Sequence, residues 1–351
     1  MKSSNIKKRI KIIAVTFLGV ICLLCVLLFL IFYHEIRTLL SIHKINDAPV
    51  YQIVYHGDYA LDKYLQTGAK DWNELINFLN TNLGKGIGNY LYSNSGCSTF
   101  YARTPEGDYL LARNLDTLQA TPAILTTDSK HGYRTIGIAN LEIAGWREQS
   151  PISKLTSISC PYFTFDGMNE YGLAIASLSV PVGKTTTDDT KTTLHDITVN
   201  RVVIDKAKNI NEAIELLSRY NIKMEARYPS HYMIADAEGN SIIVEYIQGE
   251  MKLVDRKGNY QIATNFIQYE NETMTGYSSE RYHSFDEELS KTNGIISIEA
   301  ALDLLEDNVI PGEAQWSVVY NLTKRTMDVR FSGDRYENTY SFDLSSEALV
   351  D

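Results

Sequence analysis

An α+β domain of two packed sheets with helices on their outer faces, over residues 97 to 351 and preceded by one transmembrane helix, is the fold class this sequence predicts. Three observations carry it. The 22 residues from Ile12 to Tyr33 hold no charge, enough at about 1.5 Å per residue to cross a bilayer as a helix. From Cys97 onward the texture turns to short runs rich in β-branched and aromatic residues, separated by turn signals. Among these runs stand a few amphipathic stretches with helical spacing and capping residues. A content of 44% hydrophobic and 22% charged residues is that of a globular chain, which excludes disorder as its main state.

Residues 1–11 carry Lys2, Lys7, Lys8, Arg9 and Lys11 without an acid, whereas the flank after Tyr33 mixes Glu35, Arg37, Lys44 and Asp47. The positive-inside rule therefore leaves 1–11 in the cytoplasm, makes 12–33 a signal anchor in the cell membrane and puts the remainder outside. The apolar run is longer than a signal-peptide core and no small-x-small site follows it, which favours an anchor over a cleaved signal. Residues 34–96 read as a stalk to about residue 50, then a helical segment with Trp72, Leu75, Ile76, Leu79 and Leu83 at helical spacing. "CSTFYAR" and "DYLLARNL" flank "TPEG", a turn signal, and form a hairpin.

Further strands are expected at "RTIGIANLEI", "GLAIASLSV", "HYMIADAEG", "NSIIVEYIQ", "NYQIATN", "QWSVVYNLT", "RTMDVRFS" and "TYSFDLS". Helices are expected at "HDITVNRVVIDKA", at "NINEAIELLSRY" with Asn209 or Asn211 as cap, and at "SIEAALDLLEDN" after Ser297. No internal repeat breaks residues 97–351 into smaller units.

Charge narrows the partners. With the five N-terminal cations set aside, the net charge of −10 becomes −15 over residues 34 to 351, a surface that repels nucleic acid. The sequence has no G-x-S-x-G elbow, H-E-x-x-H motif or phosphate loop, and its seven histidines lack ligand spacing, so no metal or other cofactor is expected. Of four cysteines, Cys22 and Cys25 lie in the apolar run. Cys97 and Cys160 lie outside, where a disulfide is the simplest reading and a pair of free thiols the alternative.

If "TPEG" closes the hairpin, Arg103 faces Asp108 and Cys97 faces Asn114, give or take one residue, which brings Arg113 and Asp116 beside Cys97. A guanidinium stabilises a thiolate and a carboxylate can fix the arginine or hold an amine. The same three residue types also make ordinary surface ion pairs, so spacing alone leaves both readings open.

"GCSTFYARTPEGDYLLARNLD" resembles the nucleophile segment of the choloylglycine hydrolase family, linear amide C–N hydrolases of the N-terminal nucleophile superfamily. In that family an arginine follows the cysteine after sixteen residues and an aspartate after nineteen, the spacing of Cys97, Arg113 and Asp116. "FDGMNEYGLAIASLSVP" is similar to the family's D-G-M-N-E-x-G-L stretch, "IATNF" to the segment ending in its catalytic asparagine, here Asn265, and "SSERYHSF" puts Arg281 at its second arginine. The matches cover most of residues 97 to 345 in family order. One departure stands out: many members carry an oxyanion-binding asparagine ten residues beyond the equivalent of Asn169, where this chain has Ser179.

The resemblance implies an αββα four-layer sandwich and a cysteine that is the first residue of the mature enzyme. Self-cleavage would then fall at Gly96–Cys97, with 1–96 as anchor and pro-segment and 97–351 as the amidohydrolase domain. Glycine at 96 would remove bulk and permit strained dihedrals at the scissile bond. The implied activity is hydrolysis of a small acyl amide through a Cys97 thioester. Asp116 would hold the freed amine, Arg113 and Arg281 would favour the thiolate, and Asn265, with Ser179 at the substrate, would meet the oxyanion. Two alternatives share these residues: an acyltransferase using the same thioester, and an inactive surface-binding module. Either a monomer or a homo-oligomer is compatible with the sequence.

Overall fold

The computed structural model describes residues 2–45, 50–83, 96–129, 131–148, 150, 153–184, 187–224, 229–269, 276–334 and 337–344. Helices are α1 (Lys2–Ile31), α2 (Tyr33–Ser41), α3 (Leu61–Thr67), α4 (Trp72–Asn82), α5 (Ser153–Thr156), α6 (Val199–Lys206), α7 (Ile210–Ser218), α8 (Gly276–Lys291) and α9 (Ile298–Glu306). Strands before residue 180 are β1 (His43–Lys44), β2 (Tyr51–Tyr55), β3 (Gly96–Arg103), β4 (Tyr109–Asp116), β5 (Pro122–Thr127), β6 (Thr135–Asn140), β7 (Thr164–Asn169) and β8 (Ala174–Ser179). Those after it are β9 (Thr193–His195), β10 (Asn221–Lys223), β11 (Ser230–Ala235), β12 (Ser241–Ile247), β13 (Glu250–Asp255), β14 (Gln261–Ala263), β15 (Ala314–Asn321), β16 (Thr326–Phe331) and β17 (Tyr340–Asp343).

Within α1 the stretch Ile10–Ile31 is long and apolar enough to cross a membrane, and none of it is buried against the rest of the chain. A membrane anchor and a signal sequence share that character.

Two sheets carry the remaining fold. Nine strands run in the order β1-β2-β5-β6-β7-β8-β11-β12-β13 and six in the order β14-β3-β4-β15-β16-β17, with β9 and β10 forming a separate pair. Neighbours in the large sheets are antiparallel except β2 and β5. Strand alternation divides the residues of β3 and β4 between two cores. Cys97, Tyr101, Leu111 and Leu115 join the core that also holds Met233 and Ile243 of the nine-stranded sheet. Phe100, Ala102, Leu110 and Ala112 face the other way, onto Phe285 and Leu289 of α8 and Leu302 and Leu305 of α9. Both faces are apolar, so these central strands read as nearly continuous hydrophobic runs rather than alternating ones.

Helix ends follow the expected capping chemistry. Asp71 accepts from Glu74 N at 2.9 Å, Asn209 from Glu212 N at 3.0 Å and Ser297 from Ala300 N at 3.2 Å. Asn209, not Asn211, is thus the cap of α7. The hairpin register falls within the expected margin of one residue, at its edge: Arg103 pairs with Tyr109 and Cys97 with Leu115. Thr104 N donates to Asp108 O at 2.8 Å and so extends the ladder, leaving Pro105, Glu106 and Gly107 as a three-residue loop in which Gly107 takes φ +98°. Strands β2, β5, β7 and β13 and helix α3 were not expected, nor was the 16-residue length of α8 around "SSERYHSF". Polar residues dominate α8, which weakens its amphipathic signal.

The β7–β8 turn, "NEYG", ends in Gly172 at φ +79°, and a Cβ there would lie 2.2 Å from the carbonyl oxygen of Leu322, at the end of β15. Gly172→Ala should therefore cost about 2 kcal/mol, from backbone strain and from loosened contact between the sheets. Thermal unfolding checks this, as a Tm lowered by several degrees.

Candidate active site

Cys97 is the second residue of β3, fully buried, and its sulfur accepts a hydrogen bond from Arg113 Nη2 at 3.1 Å. The two side chains meet because Arg113 pairs with Thr99, which puts it on the same face as Cys97 and diagonal to it. Arg113 also donates to the carbonyl of Ser177 at 3.0 Å and forms a buried ion pair with Asp166 of β7. Asp166 accepts in addition from Trp316 Nε1 at 3.0 Å and Tyr320 OH at 2.5 Å, both from β15. Its carboxylate therefore joins the two sheets and fixes the guanidinium that touches the sulfur.

The backbone N–H of Cys97 donates to Asn265 Oδ1 at 3.1 Å. Arg281 Nη2 donates to the same oxygen at 2.6 Å while Arg281 Nη1 donates to Asp116 Oδ2 at 2.9 Å. Asp116 pairs with Gly96 and lies on the helix side of its sheet, opposite to Cys97, where Ile310 N donates to it at 3.2 Å. Asp116 is thus linked to the Cys97 nitrogen through Arg281 and Asn265. The remaining sequence-predicted residue, Ser179, offers its carbonyl rather than its hydroxyl, accepting from Asn265 Nδ2 at 2.6 Å.

Of the two roles the sequence suggested for Gly96, lack of bulk and strained dihedrals, the structure shows the first. Its φ is not positive and it pairs as an ordinary strand residue. A Cβ there would come within 2.9 Å of Ile310 Cδ1 and 3.5 Å of the Asp116 carbonyl oxygen, so glycine supplies room between two chain segments. Cys160 is buried and, like Cys97, a free thiol, so no disulfide blocks the sulfur.

Electrostatics divide the site. Burial pushes the Cys97 thiol up; Arg113 and Arg281 pull it down and Asp116 opposes them, but the net direction is upward. The arginines favour the thiolate, as expected of them, but in the intact chain desolvation outweighs them. Burial likewise raises the Asp116 carboxyl to about 6, against the pull of Arg281 and the Ile310 N–H.

A further pair supports the loop that carries Asn265. Glu245 Oε1 accepts from Gln268 N at 2.9 Å and from His231 Nδ1 at 3.1 Å, and Oε2 accepts from Tyr269 N at 2.9 Å. His231 and Glu245 are wholly enclosed. Burial raises the Glu245 carboxyl, but its hydrogen bonds prevail and it lies below the usual range. Among the described residues no group of three or more His, Cys, Asp or Glu side chains is arranged to hold a metal ion.

Sequence reasoning missed Asp166, Trp316, Tyr320, His231 and Glu245. Asp166 opens the family-like "DGMNEYGL" stretch and is a lone acid inside the apolar strand "TFDGMN", but no role was read for it; the others look like ordinary strand residues.

Two measurements check this electrostatic account. Asp166→Asn leaves Arg113 buried without its counter-charge and should cost about 3 kcal/mol in urea unfolding. For Asp116 the folded pKa of about 6 lies above the ordinary 3.8, so its contribution to stability is complete below pH 4 and is lost as pH rises towards 6. In a Cys97→Ala background, the intact chain should therefore lose up to roughly 3 kcal/mol over that window relative to its Asp116→Asn counterpart.

Comparison with known proteins gives the family and the fold. Residues 97–294, more than half of the chain, match the model of the linear amide C–N hydrolases, choloylglycine hydrolase family. Two structures of the conjugated bile acid hydrolase from Clostridium perfringens align at TM-scores of 0.52 and 0.53, with 17% identity over 72% of this chain and 94% of theirs. Penicillin V acylase from Agrobacterium tumefaciens aligns at 0.51, with 16% identity over 72% of this chain and 88% of its own. These neighbours share the mixed α+β fold of N-terminal nucleophile hydrolases. The chain belongs to the choloylglycine hydrolase family and is a hydrolase acting on linear amides.

Proposed function

We propose that the protein is a membrane-anchored, extracytoplasmic cysteine amidase, built as a four-layer αββα sandwich, that matures by cutting Gly96–Cys97. The observation that carries the proposal is the convergence on one residue: Arg113 holds the Cys97 sulfur at 3.1 Å while Asn265 holds the Cys97 nitrogen at 3.1 Å. A cysteine gripped at both atoms is suited to use both.

Cleavage turns the peptide nitrogen into an α-amine whose ordinary pKa, about 7.7 to 8.0, is close to that of a thiol. The raised thiol keeps its proton until this amine accepts it, so one residue supplies nucleophile and base. The sulfur attacks the amide carbonyl, the amine passes the proton to the leaving nitrogen, and the C–N bond breaks to give a thioester. Water then adds to the thioester, giving its proton to the same amine, and the acid leaves as the thiol regains a proton. Asn265 Oδ1 orients the amine, with Asp116 acting through Arg281. One Asn265 amide hydrogen is held by the Ser179 carbonyl, and the second is free to meet the oxyanion, a donor worth roughly 3 kcal/mol. In this role Ser179 positions Asn265 in place of the side-chain donor found in many family members.

The anchor reading draws on the charge asymmetry about Ile10–Ile31. The substrate is a small acyl amide, for which a conjugated bile acid and penicillin V are the first probes. Intact mass of residues 34–351 should show a fragment beginning at Cys97 that Cys97→Ala does not release, and the variant should hydrolyse neither probe. Amide hydrolysis retained by Cys97→Ala would refute the assignment.

A further inference from the structure

We propose that the cavity between β13, β14 and α8 is a binding site for a small organic cation, an amine or quaternary ammonium ion, and that a cation held there biases the Asn265–Arg281 pair. The second part rests on the roles given to those two residues above. The cavity measures about 470 Å³, the size of an ordinary small-molecule site. Three rings line it, those of Tyr260, Phe266 and Tyr282, together with the carboxylates of Asp255 and Asp286. Lys257 is also in the lining, but one lysine against two acids leaves it net negative. Ring faces attract cations through their quadrupole, and the carboxylates add counter-charge. The combination suits a cation with apolar substituents better than a metal ion, which takes a cage of oxygen ligands.

Helical spacing places half of this lining. Along α8, Phe285 and Leu289 are buried in the core against the six-stranded sheet, whereas Tyr282 and Asp286, four residues apart, share a neighbouring face and line the cavity. Tyr260 OH donates to Asp286 Oδ1 at 2.7 Å and so fixes the carboxylate beside the rings. Both tyrosines feel the negative charge. The bond to Asp286 is the first cause that pushes Tyr260 up to about 12, and Asp286 adds to burial in raising Tyr282.

The same lining adjoins the catalytic pair. Phe266 follows Asn265 and Tyr282 follows Arg281, and the two rings meet edge to face with their centres 5.4 Å apart. Within these segments Arg281 Nη2 donates at 2.6 Å to Asn265 Oδ1, the oxygen that also accepts from Cys97 N. A cation seated on the rings is thus one peptide unit from each of the two residues. Strand β14, which contributes to the lining, pairs with β3, the strand of Cys97.

The test titrates choline, and its uncharged isostere dimethylbutanol in which carbon replaces nitrogen, into the full chain in detergent by calorimetry. The chain carries Cys97→Ala, so that neither turnover nor cleavage contributes heat. Choline should bind saturably and roughly tenfold more tightly than the isostere, and Asp286→Asn should remove most of that difference. Asp255→Asn, at an exposed position, should weaken choline by a smaller factor. Equal affinity for the isostere, absence of saturable binding, or tighter binding of acetate than of choline overturns the site. Should Asp286→Asn fail to fold, the isostere comparison and Asp255→Asn decide the question. Coupling is read from the side-chain amide signal of Asn265 by nuclear magnetic resonance in asparagine-labelled protein: it should shift with the same saturation curve as choline binding, and an unmoved signal refutes the coupling. Neither reading needs turnover. A wild-type chain that hydrolyses neither penicillin V nor a bile conjugate therefore refutes the function proposed above and leaves the cation site standing.

Discussion

Asp166 is the constraint on which the remaining structure depends. Its carboxylate sits on β7 of one sheet and is met by Arg113, Trp316 and Tyr320 from two adjacent strands of the other. A buried charge is costly unless paired and hydrogen-bonded, so the two sheets are held in one lateral alignment, the one that satisfies it. The same alignment aims the second arm of the Arg113 guanidinium at the Cys97 sulfur. Fold specificity and the placing of the sulfur are in this way one interaction, and the planar, multi-donor geometry of arginine is what allows it.

The site draws on both faces of the six-stranded sheet. Cys97 and Arg113 face the other sheet, whereas Asp116 faces the helices, and alternation along a strand permits nothing else. Asn265 and Arg281 reach around the strand end to connect them, one from the segment after β14 and one from α8. Gly96 is the point of passage, because a side chain there would fill the space beside Ile310. Glu245 holds the loop of Asn265 by two backbone N–H groups, so the carboxamide is fixed from behind as well as by its own contacts.

Enclosure sets the chemistry. Burial raises both the Cys97 thiol and the Asp116 carboxyl, and it does so against the attraction of two arginines. A thiol that keeps its proton needs a base to become a nucleophile. The core that encloses this site includes residues from well before Cys97, which ties the condition of the active site to the upstream segment.

How much of this was legible depended on distance along the chain. The apolar run, the hairpin around "TPEG" and the helix starts at Asn209 and Ser297 are local patterns that depend on propensity and turn chemistry, and they were readable. Cys97, Arg113 and Asp116 were readable as a spaced set because one hairpin holds them, while Asn265 and Arg281 came from resemblance alone. The exact register was not, since Thr104 joined the ladder and shortened the loop by one residue. The contacts that join Asp166 to Trp316 and Tyr320 and His231 to Glu245 were invisible, as was the burial of Tyr59 and Tyr64, because face-to-face packing joins segments far apart in sequence and has no period to announce it. The sequence by itself determined the apolar helix, the hairpin, most later strands and the capped helices, and it marked Cys97, Arg113 and Asp116 as a spaced set. Only the tertiary structure decided which buried charge is satisfied by which partner, because that choice is made where the two sheets stack, and stacking is a property of surfaces and not of the chain.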